Sequence, residues 1–372
     1  MKYDRMTHTS SKDEYFMARC LALAARGRGS VSPNPMVGAV IVRNENVLGE
    51  GFHERFGGIH AEVSAIKAAH GDVRGATLYV NLEPCPHWGK TPPCTDLIIS
   101  SQIARVVVAM KDPNPLVAGK GIRKLTKAGI AVEVGVLEDE ARRLNEAYVH
   151  FVMRQRPFVA LKIAQSLDGD IAAADGSSHW ITSREARTFV HELRAMYDAV
   201  LIGARTVALD NPSLTVRFVN GRTPKRVVLD GAFNISVDTT VVSDRFRDRT
   251  IIVTSKDALR RHARKASLLE RRGVTLIGVK GNSAGYIPLD RVLAALGELG
   301  IASVLVEGGA TIFSEFIQSH LAQKLYLFQA PILLGNGRRW STDIRALEEA
   351  LKICNVQVRM IGPDLLIEGY LE

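Results

Sequence analysis

The chain alternates short apolar segments with longer segments whose apolar positions recur at helical spacing. Apolar runs bounded by glycine, proline or asparagine predict strands at 37–42, 47–50, 76–82, 105–110 and 130–134. Helical spacing with cap and stop residues predicts helices at 15–26, 60–70, 95–100, 121–128 and 138–154. The polar stretch 44–46 predicts a hairpin between the first two strands. Strands that alternate with helices indicate a three-layer α/β sheet.

The alternation begins again after Gln155-Arg156-Pro157, where we expect a domain boundary. A helix is predicted at 185–197, with Thr182 or Ser183 as its cap. Further strands are predicted at 158–164, 199–202, 226–229, 250–253, 274–278, 303–306 and 324–329. We therefore expect two α/β domains, one over residues 1–153 and one over residues 154–372.

Composition narrows the class of protein. A chain of 372 residues with 46% hydrophobic and 23% charged residues fits two soluble globular domains. Aromatic residues, at 6%, are too few for a platform that stacks single-stranded nucleic acid. The densest basic stretch, 260–272, has the spacing of a solvated helix face. We expect no nucleic-acid partner, and the net charge of +9 suits a small anionic substrate such as a phosphate ester.

The chain shows no signal for export or membrane insertion. Its first residues lack the apolar core of a signal peptide, and no apolar run approaches the ~20 residues of a membrane span. Four cysteines do not make a disulfide framework, and Cys20 and Cys354 are interpreted as ordinary packed cysteines. These features predict a cytoplasmic, reduced protein without membrane contact.

Two segments carry the residues of a metal site. His60-Ala61-Glu62 opens a predicted helix, and Cys85 and Cys94 follow a predicted strand. One imidazole and two thiolates suit tetrahedral Zn²⁺ and leave a fourth position for water, whose pKa zinc lowers towards ~7. Glu62 follows the histidine by two residues and can move the proton of that water. The pattern predicts a zinc-dependent deaminase.

Each segment alone has an ordinary explanation. His-Ala-Glu occurs often by chance, and Cys85 and Cys94 could be two buried thiols. The step between these cysteines is also wider than the C-x-x-C of most zinc deaminases. However, the segment between them contains three prolines, a glycine and a lysine, which is a poor composition for a packed core. Taken together, the two segments favour a metal site.

Three other functions were weighed. A nucleoside or nucleic-acid base deaminase with a structural C-terminal module predicts basic and aromatic clustering near the metal motif, which the sequence lacks. A non-catalytic zinc scaffold would fill the fourth position with Cys or His, whereas Glu62 is not a ligand. The third alternative is a chain in which only one of the two halves is active, and the sequence leaves this alternative open.

The motifs as a set resemble the bifunctional riboflavin-biosynthesis deaminase/reductase family. The resemblance rests on His60-Ala61-Glu62, on the wide step from Cys85 to Cys94, and on the segments 33–38, 112–115 and 117–121. It implies a cytidine-deaminase-like first domain with Glu62 as the catalytic residue and His60, Cys85 and Cys94 as zinc ligands. Pro86 stands where the family usually has a serine, which stiffens the loop and removes no ligand.

The same resemblance implies how the first domain binds its substrate. Asn34 would hydrogen-bond the pyrimidine, and His53 would line its pocket. The residues implied near the ribose phosphate are His87, Lys90 and Thr91.

In the second half, an apolar strand at 304–306 leads into Glu307-Gly308-Gly309 and a helix. Such a turn binds phosphate through backbone amides, although it is also a common tight connection. This turn and the motifs that precede it in the second half stand in the same order as in the reductase half of the family, which they resemble. That half of the family has a dihydrofolate-reductase-like fold and uses NADPH. The implied NADPH contacts are Ala164, Trp180, Thr206, Asp210, Gly231, Gly309, Ala310 and Thr311. The implied contacts to the phosphorylated sugar are Lys162, Ser178, Arg194, Leu214, Arg217 and Glu307.

These assignments fit simple chemistry. Two arginines can clamp a phosphate, and Lys162 or Glu307 could handle the proton that accompanies hydride transfer. Gly231 stands where the family often has a serine, which removes one hydrogen bond to the cofactor. The resemblance implies hydrolytic deamination of 2,5-diamino-6-ribosylamino-4(3H)-pyrimidinone 5′-phosphate, followed by reduction of its ribosyl chain to ribityl. It also implies a homo-oligomer formed through the reductase domain.

Overall fold

The computed structural model describes residues 11–88, 92–177, 180–281, 286–342 and 346–371. The chain separates into two compact units that divide between Arg154 and Gln155. In the described residues, no helix combines the length and the apolar character needed to cross a bilayer.

The first unit contains a five-stranded sheet in the order β2-β1-β3-β4-β5. Its strands are β1 (Gly38–Arg43), β2 (Asn46–Phe52), β3 (Thr77–Leu82), β4 (Arg105–Met110) and β5 (Ala131–Val134). Its helices are α1 (Ser11–Ala25), α2 (Ala61–Ala68), α3 (Cys94–Ser100), α4 (Lys120–Lys127), α5 (Glu138–Leu144) and α6 (Glu146–Arg154). Strand β1 pairs antiparallel with β2 and β3, whereas β3, β4 and β5 are parallel.

The predicted hairpin joins β1 and β2 through Asn44 and Glu45. Arg43 pairs with Asn46, and the two residues between them have φ values of 51° and 64°. Two consecutive residues with positive φ are typical of a type I′ turn, whose twist matches that of the two strands in a hairpin with a two-residue loop.

Alternate residues of the strands pack into two cores, one on each face of the sheet. One face packs side chains such as Ile41 and Val108 against Ala65 of α2 and Leu125 of α4. The opposite face packs residues such as Val40 and Val107 against Met17 of α1 and Ala141 of α5. Because the central strands are buried on both faces, their sequences are predominantly apolar. The predicted three-layer arrangement is confirmed for this unit.

The prediction of one long helix at 138–154 is wrong in one respect, because the observed helix is interrupted at Asn145. The buried Asn145 side chain accepts a hydrogen bond from Met36 N at 2.8 Å and donates one to Met36 O at 3.0 Å. The helix therefore divides into α5 and α6, and Asn145 fastens their junction to the segment before β1.

The second unit contains a nine-stranded sheet in the order β10-β9-β8-β7-β11-β6-β12-β14-β13. Its strands are β6 (Phe158–Gln165), β7 (Ala199–Gly203), β8 (Lys225–Leu229), β9 (Thr250–Ser255), β10 (Thr275–Val279), β11 (Ser303–Gly308), β12 (Lys324–Gln329), β13 (Ile353–Ile361) and β14 (Asp364–Leu371). Its α-helices are α7 (Arg184–Met196), α8 (Ala204–Asp210), α9 (Thr240–Ser243), α10 (Lys256–Arg261), α11 (Ala263–Arg271), α12 (Leu289–Glu298) and α13 (Ala310–Gln318).

The strands from β10 to β12 along this sheet are parallel, and β14 and β13 are added antiparallel. Ser183 caps α7 by accepting a hydrogen bond from Ala186 N at 3.2 Å. The predicted basic helix face lies on α10 and α11, which separate at His262. The parallel strands place the loops after β6, β7, β8 and β11 at one edge of the sheet.

Candidate active sites

Three side chains of the first unit converge on one point. His60 stands immediately before α2, Cys94 is the first residue of α3, and Cys85 lies in the loop that follows β3. Their ligand atoms all lie within 4.8 Å of one another, with His60 Nδ1 3.1 Å from Cys94 Sγ and 3.6 Å from Cys85 Sγ. Tetrahedral Zn–S and Zn–N bonds require nitrogen–sulfur separations of about 3.6 Å. The donor set therefore fits a zinc ion in its chemistry, and the separation of His60 from Cys85 matches this spacing, whereas that of His60 from Cys94 is about 0.5 Å shorter.

Neighbouring groups favour the thiolate form of Cys85. Hydrogen bonding from the side chain of Cys94, followed by that from His60, lowers the pKa of Cys85 against the effect of burial. The amide N–H of Cys94 also points to Cys85 Sγ, at 3.4 Å. A thiolate is the form of cysteine that binds metal, so the site is prepared for a cation.

Glu62 lies beside these three residues in the first turn of α2 and is 3% exposed. Burial, followed by the negative charge of Cys85, raises the pKa of the Glu62 carboxyl. The helix that carries it packs closely on β2 because Gly51 has no side chain; a Cβ there would lie 2.5 Å from Ala65 N. A carboxyl with a raised pKa, buried beside a metal site, is suited to taking up and releasing a proton.

A pocket of about 270 Å³ opens over this group. Its walls include Asn34, His53 and His87, together with Glu62 and two of the donor residues, His60 and Cys85. Asn34 Nδ2 lies 3.2 Å from His53 Nε2, and His53 Nδ1 lies 2.9 Å from Ile59 O. The predicted pyrimidine contacts and His87 are thus placed with the metal site. Lys90 and Thr91 lie outside the described residues.

Sequence reasoning missed Glu83, which lines the same pocket. Its carboxylate accepts four backbone N–H groups from the loop after β4 and the first turn of α4; the donors are Asp112, Gly119, Gly121 and Ile122, at 2.8–3.3 Å. Gly121 packs so closely on the chain that a Cβ would lie 2.0 Å from Pro84 O. Glu83 thereby ties the loop of Cys85 to the segment 112–122. The position of Glu83 directly before Pro84-Cys85 is the sequence feature that could have identified it.

Tyr148 and Asp112 were also missed as wall residues. The Tyr148 hydroxyl donates to Asp112 Oδ1 at 2.9 Å, and Asp112 Oδ1 accepts from Asn114 N at 2.8 Å. The two contacts hold the segment 112–114 against the pocket.

In the second unit, Lys162, Arg194 and Glu307 form a buried group of charges. Arg194 binds Glu307 through two parallel hydrogen bonds, of 2.5 Å from Nε and 2.7 Å from Nη2. Burial alone would raise the pKa of Glu307, but Arg194 outweighs it and holds this pKa below its usual range. Burial lowers the pKa of Lys162, although Glu307 opposes the change. A carboxylate and a lysine with a lowered pKa therefore share one site.

The glycine pair lies beside this group, where β11 runs into α13. Gly309 has a φ of 94°, and Cβ atoms built on Gly308 and Gly309 would contact the Thr206 side chain at 3.3 and 3.6 Å. Ala310 and Thr311 open α13, and Ala164 lies near the end of β6. Gly231 follows β8, which pairs with β7. Most of the predicted cofactor contacts thus lie at one edge of the sheet, where α/β proteins bind ligands.

The remaining predicted residues of this unit lie on the segments around that edge. Leu214 is 3% exposed with a φ of 53°, whereas Arg217 is exposed and donates to Ser213 Oγ at 2.7 Å. Asp210 ends α8. Trp180 is exposed, and its ring packs on Arg187, whose Cζ lies 4.3 Å from the ring centre. Ser178 lies outside the described residues.

The two units match two different family models. Residues 10–110 match the zinc-binding region of cytidine and deoxycytidylate deaminases, and residues 157–367 match the RibD C-terminal domain. The predicted fold class, a cytidine-deaminase-like domain followed by a dihydrofolate-reductase-like domain, is confirmed. Fold and sites together define a two-domain enzyme with hydrolase and oxidoreductase activity.

Relatives match over nearly the whole chain. The riboflavin biosynthesis protein RibD of Aquifex aeolicus is 43% identical, covering 95% of this chain and 97% of its own. RibD of Escherichia coli is 37% identical, covering 96% and 98%. The crystal structure of a diaminohydroxyphosphoribosylaminopyrimidine deaminase/5-amino-6-(5-phosphoribosylamino)uracil reductase from Thermotoga maritima is 41% identical, with a TM-score of 0.86 and coverage of 97% and 99%. The chain belongs to the RibD family of bifunctional riboflavin-biosynthesis enzymes.

Proposed function

We propose that residues 1–153 form a zinc-dependent deaminase that acts on 2,5-diamino-6-ribosylamino-4(3H)-pyrimidinone 5′-phosphate. The observation that supports this most is the buried Glu62 carboxyl beside the cluster of His60, Cys85 and Cys94, at the base of a pocket. The Thermotoga maritima relative, named as a deaminase of this kind of substrate, supports the choice of pyrimidine.

In this proposal His60, Cys85 and Cys94 hold the zinc ion. Zinc, when bound, makes a water molecule acidic enough to lose a proton near neutral pH. Glu62 takes that proton and delivers it to the departing nitrogen, so that a C–O bond forms, a C–N bond breaks and ammonia leaves. Asn34 and His53 orient the ring, and the family resemblance implies His87, Lys90 and Thr91 as the residues that bind the ribose phosphate.

We infer that residues 154–372 form an NADPH-dependent reductase of the deaminated product. The supporting observation is the group of Lys162, Arg194 and Glu307 next to the Gly308-Gly309 turn. NADPH, when bound, supplies a hydride to the opened ribose, and one proton must be added as well. Lys162 is suited to give that proton, because burial lowers its pKa. Arg194 keeps Glu307 charged and in place for the sugar.

The proposed cofactor site consists of eight residues. Ala164, Gly231 and Gly309 lie at or just after strand ends, Thr206 and Asp210 belong to α8, Ala310 and Thr311 open α13, and Trp180 precedes α7. Ser178, Leu214 and Arg217 complete the proposed sugar-phosphate site with the charged group. A homo-oligomer formed through this unit, the absence of a nucleic-acid partner and a cytoplasmic location stay predictions.

Metal analysis tests the first half of the proposal. We expect about one zinc ion per purified chain, and Cys94→Ala is expected to lose it because two donors cannot hold the ion tightly. The matched control is Cys354→Ala, since Cys354 lies in the second unit. Zinc-free wild-type protein with full deaminase activity would contradict the proposal.

Titration with NADPH and NADH, followed by fluorescence, tests the second half. We expect NADPH to bind at least tenfold more tightly than NADH. Equal, weak binding of the two nucleotides would contradict the cofactor assignment, while leaving the deaminase proposal intact.

A further inference from the structure

The loop at 211–217 contains Arg217 and is held by side chains from outside the loop. Leu214 at its centre has a φ of 53°, a left-handed conformation that costs free energy for a residue with a side chain. Arg194 of α7 donates from Nη1 to Thr215 O at 3.2 Å. The fully buried Arg226 of β8 donates from Nη1 to Ser213 O at 3.1 Å. The loop therefore depends on these external anchors for its shape.

A third anchor is His191, one turn before Arg194 on α7. Its side chain is buried, with only 4% of the residue exposed, and its Nδ1 accepts the backbone N–H of Arg217 at 3.0 Å. The imidazole ring packs on Phe218, with ring centres 4.4 Å apart. An apolar ring at this position could pack on Phe218 in the same way but could not accept the N–H of Arg217.

We propose that His191 is a positioning residue of the reductase site, which fixes the backbone of Arg217 so that its guanidinium meets the phosphate ester of the substrate. This inference rests on the proposed function of the second unit. Arg217 is exposed and points its Nη1 back to Ser213 Oγ, so the placement of its charge follows the placement of the loop. A guanidinium recognises phosphate through directed hydrogen bonds, which a small displacement weakens.

The protonation state of His191 agrees with this role. Burial, assisted by the positive charges of Arg194 and Arg217, lowers the pKa of His191 to about 4. The imidazole is therefore neutral near pH 7, and its Nδ1 is free to accept the Arg217 N–H while Nε2 carries the proton.

Two substitutions of His191 distinguish the effect of its hydrogen-bond acceptor from the effect of its aromatic ring. Asparagine attaches its oxygen at the position of Nδ1, so H191N keeps an acceptor for Arg217 N and loses the ring. Phenylalanine keeps a ring against Phe218 and loses the acceptor, which leaves a partly buried N–H without its partner. His191→Leu serves as a second acceptor-free variant if H191F does not fold.

The test is steady-state kinetics of NADPH oxidation with the deaminated, phosphorylated substrate, using the full-length enzyme. We expect H191F to raise KM about tenfold with kcat changed less than twofold, and H191N to restore KM to within about threefold of wild type. In a double-mutant cycle, H191F should add nothing to the KM of R217A, since the charge it positions is gone. Deaminase activity of the same proteins should not change.

Equal KM values for H191F and H191N would overturn the inference, as would a loss confined to kcat. Effects of H191F and R217A that multiply would also overturn it, because independent structural damage is expected to be additive in free energy. If wild-type enzyme does not reduce the substrate at all, the proposed function fails. Calorimetric binding of inorganic phosphate then decides the inference: weaker binding by H191F than by H191N supports it, and equal binding overturns it.

Discussion

The Asn34 side chain donates from Nδ2 to Nε2 of His53, 3.2 Å away, and this contact fixes which end of the Asn34 amide faces the pocket. His53 Nδ1 lies 2.9 Å from Ile59 O, and a carbonyl only accepts, so Nδ1 carries the proton. Burial lowers the pKa of His53, which keeps the imidazole neutral and leaves Nε2 as an acceptor. The Asn34 amide therefore turns its NH₂ towards His53, which would leave its Oδ1 to accept a hydrogen bond from the proposed substrate.

Asn34→Asp is expected to lower kcat/KM for deamination by at least tenfold. An ionised carboxylate cannot donate to His53 Nε2, so two acceptors would face each other at hydrogen-bond distance. Ammonia release with purified variants measures the effect, and the reductase rate of the same variants shows that the chain is intact. Asn46→Asp, at an exposed position in the same unit, is the matched control. An unchanged kcat/KM in Asn34→Asp would contradict this account of the pocket.

Glu83→Gln is expected to destabilise the protein by about 3 kcal/mol and to reduce deamination strongly. The carboxylate accepts four backbone N–H groups, two on each oxygen, and an amide would place its NH₂ against two of these donors. Chemical denaturation followed by circular dichroism measures the loss.

The control for Glu83→Gln is Glu138→Gln. Glu138 pairs with Arg142 on the surface of α5, a kind of ion pair that contributes under about 1 kcal/mol. Similar losses in the two variants would show that Glu83 has no special role in holding the loop.

Asp13→Asn is expected to cost about 2 kcal/mol of stability at pH 7 and progressively less as the pH falls below ~4. Asp13 is buried, accepts two hydrogen bonds from Arg105 at 3.0 and 2.8 Å, and accepts one from Tyr79 at 2.7 Å. Arg105 holds the pKa of Asp13 below its ordinary value of 3.8. Because the folded-state pKa is lowered, this stability is complete above the unfolded-state pKa and is lost as the pH falls through the folded-state pKa.

Urea midpoints at pH 7 and pH 3 measure the difference between wild type and Asp13→Asn. Glu14→Gln, an exposed neighbour on the same helix, should leave both midpoints unchanged. A difference for Asp13→Asn that is equally large at both pH values would contradict the assignment of this stability to the ion pair.

Periodicity alone predicted most strands of both units and the three-layer first unit, because buried parallel strands must be apolar on both faces. It did not predict the break at Asn145, since the partner of that side chain is the Met36 backbone, more than 100 residues away. Periodicity also did not predict β13 and β14. Six of the nine side chains of β13 are exposed, so this edge strand lacks the buried apolar run that marked the others.

The candidate sites divide in the same way. His60, Glu62, Cys85 and Cys94 were found because their chemistry is unusual, and the structure brings all four together. Glu83 and His191 act on backbone N–H groups of distant segments, and a sequence does not show which segments meet. The sequence also did not predict that Arg194 pairs with Glu307, although it predicted both residues as contacts to the sugar.

The most direct test of the central claim, two independent active sites on one chain, is the Glu62→Gln variant, assayed separately for both reactions. The variant removes the proton-transferring carboxyl without removing a metal donor. We predict that folded, zinc-loaded Glu62→Gln releases ammonia at least a thousandfold more slowly than wild type, in line with loss of general acid–base catalysis, which contributes ~10²–10⁴-fold. Its NADPH oxidation with the deaminated substrate should equal that of wild type. Ammonia release near the wild-type rate, or loss of both activities together, would contradict the account.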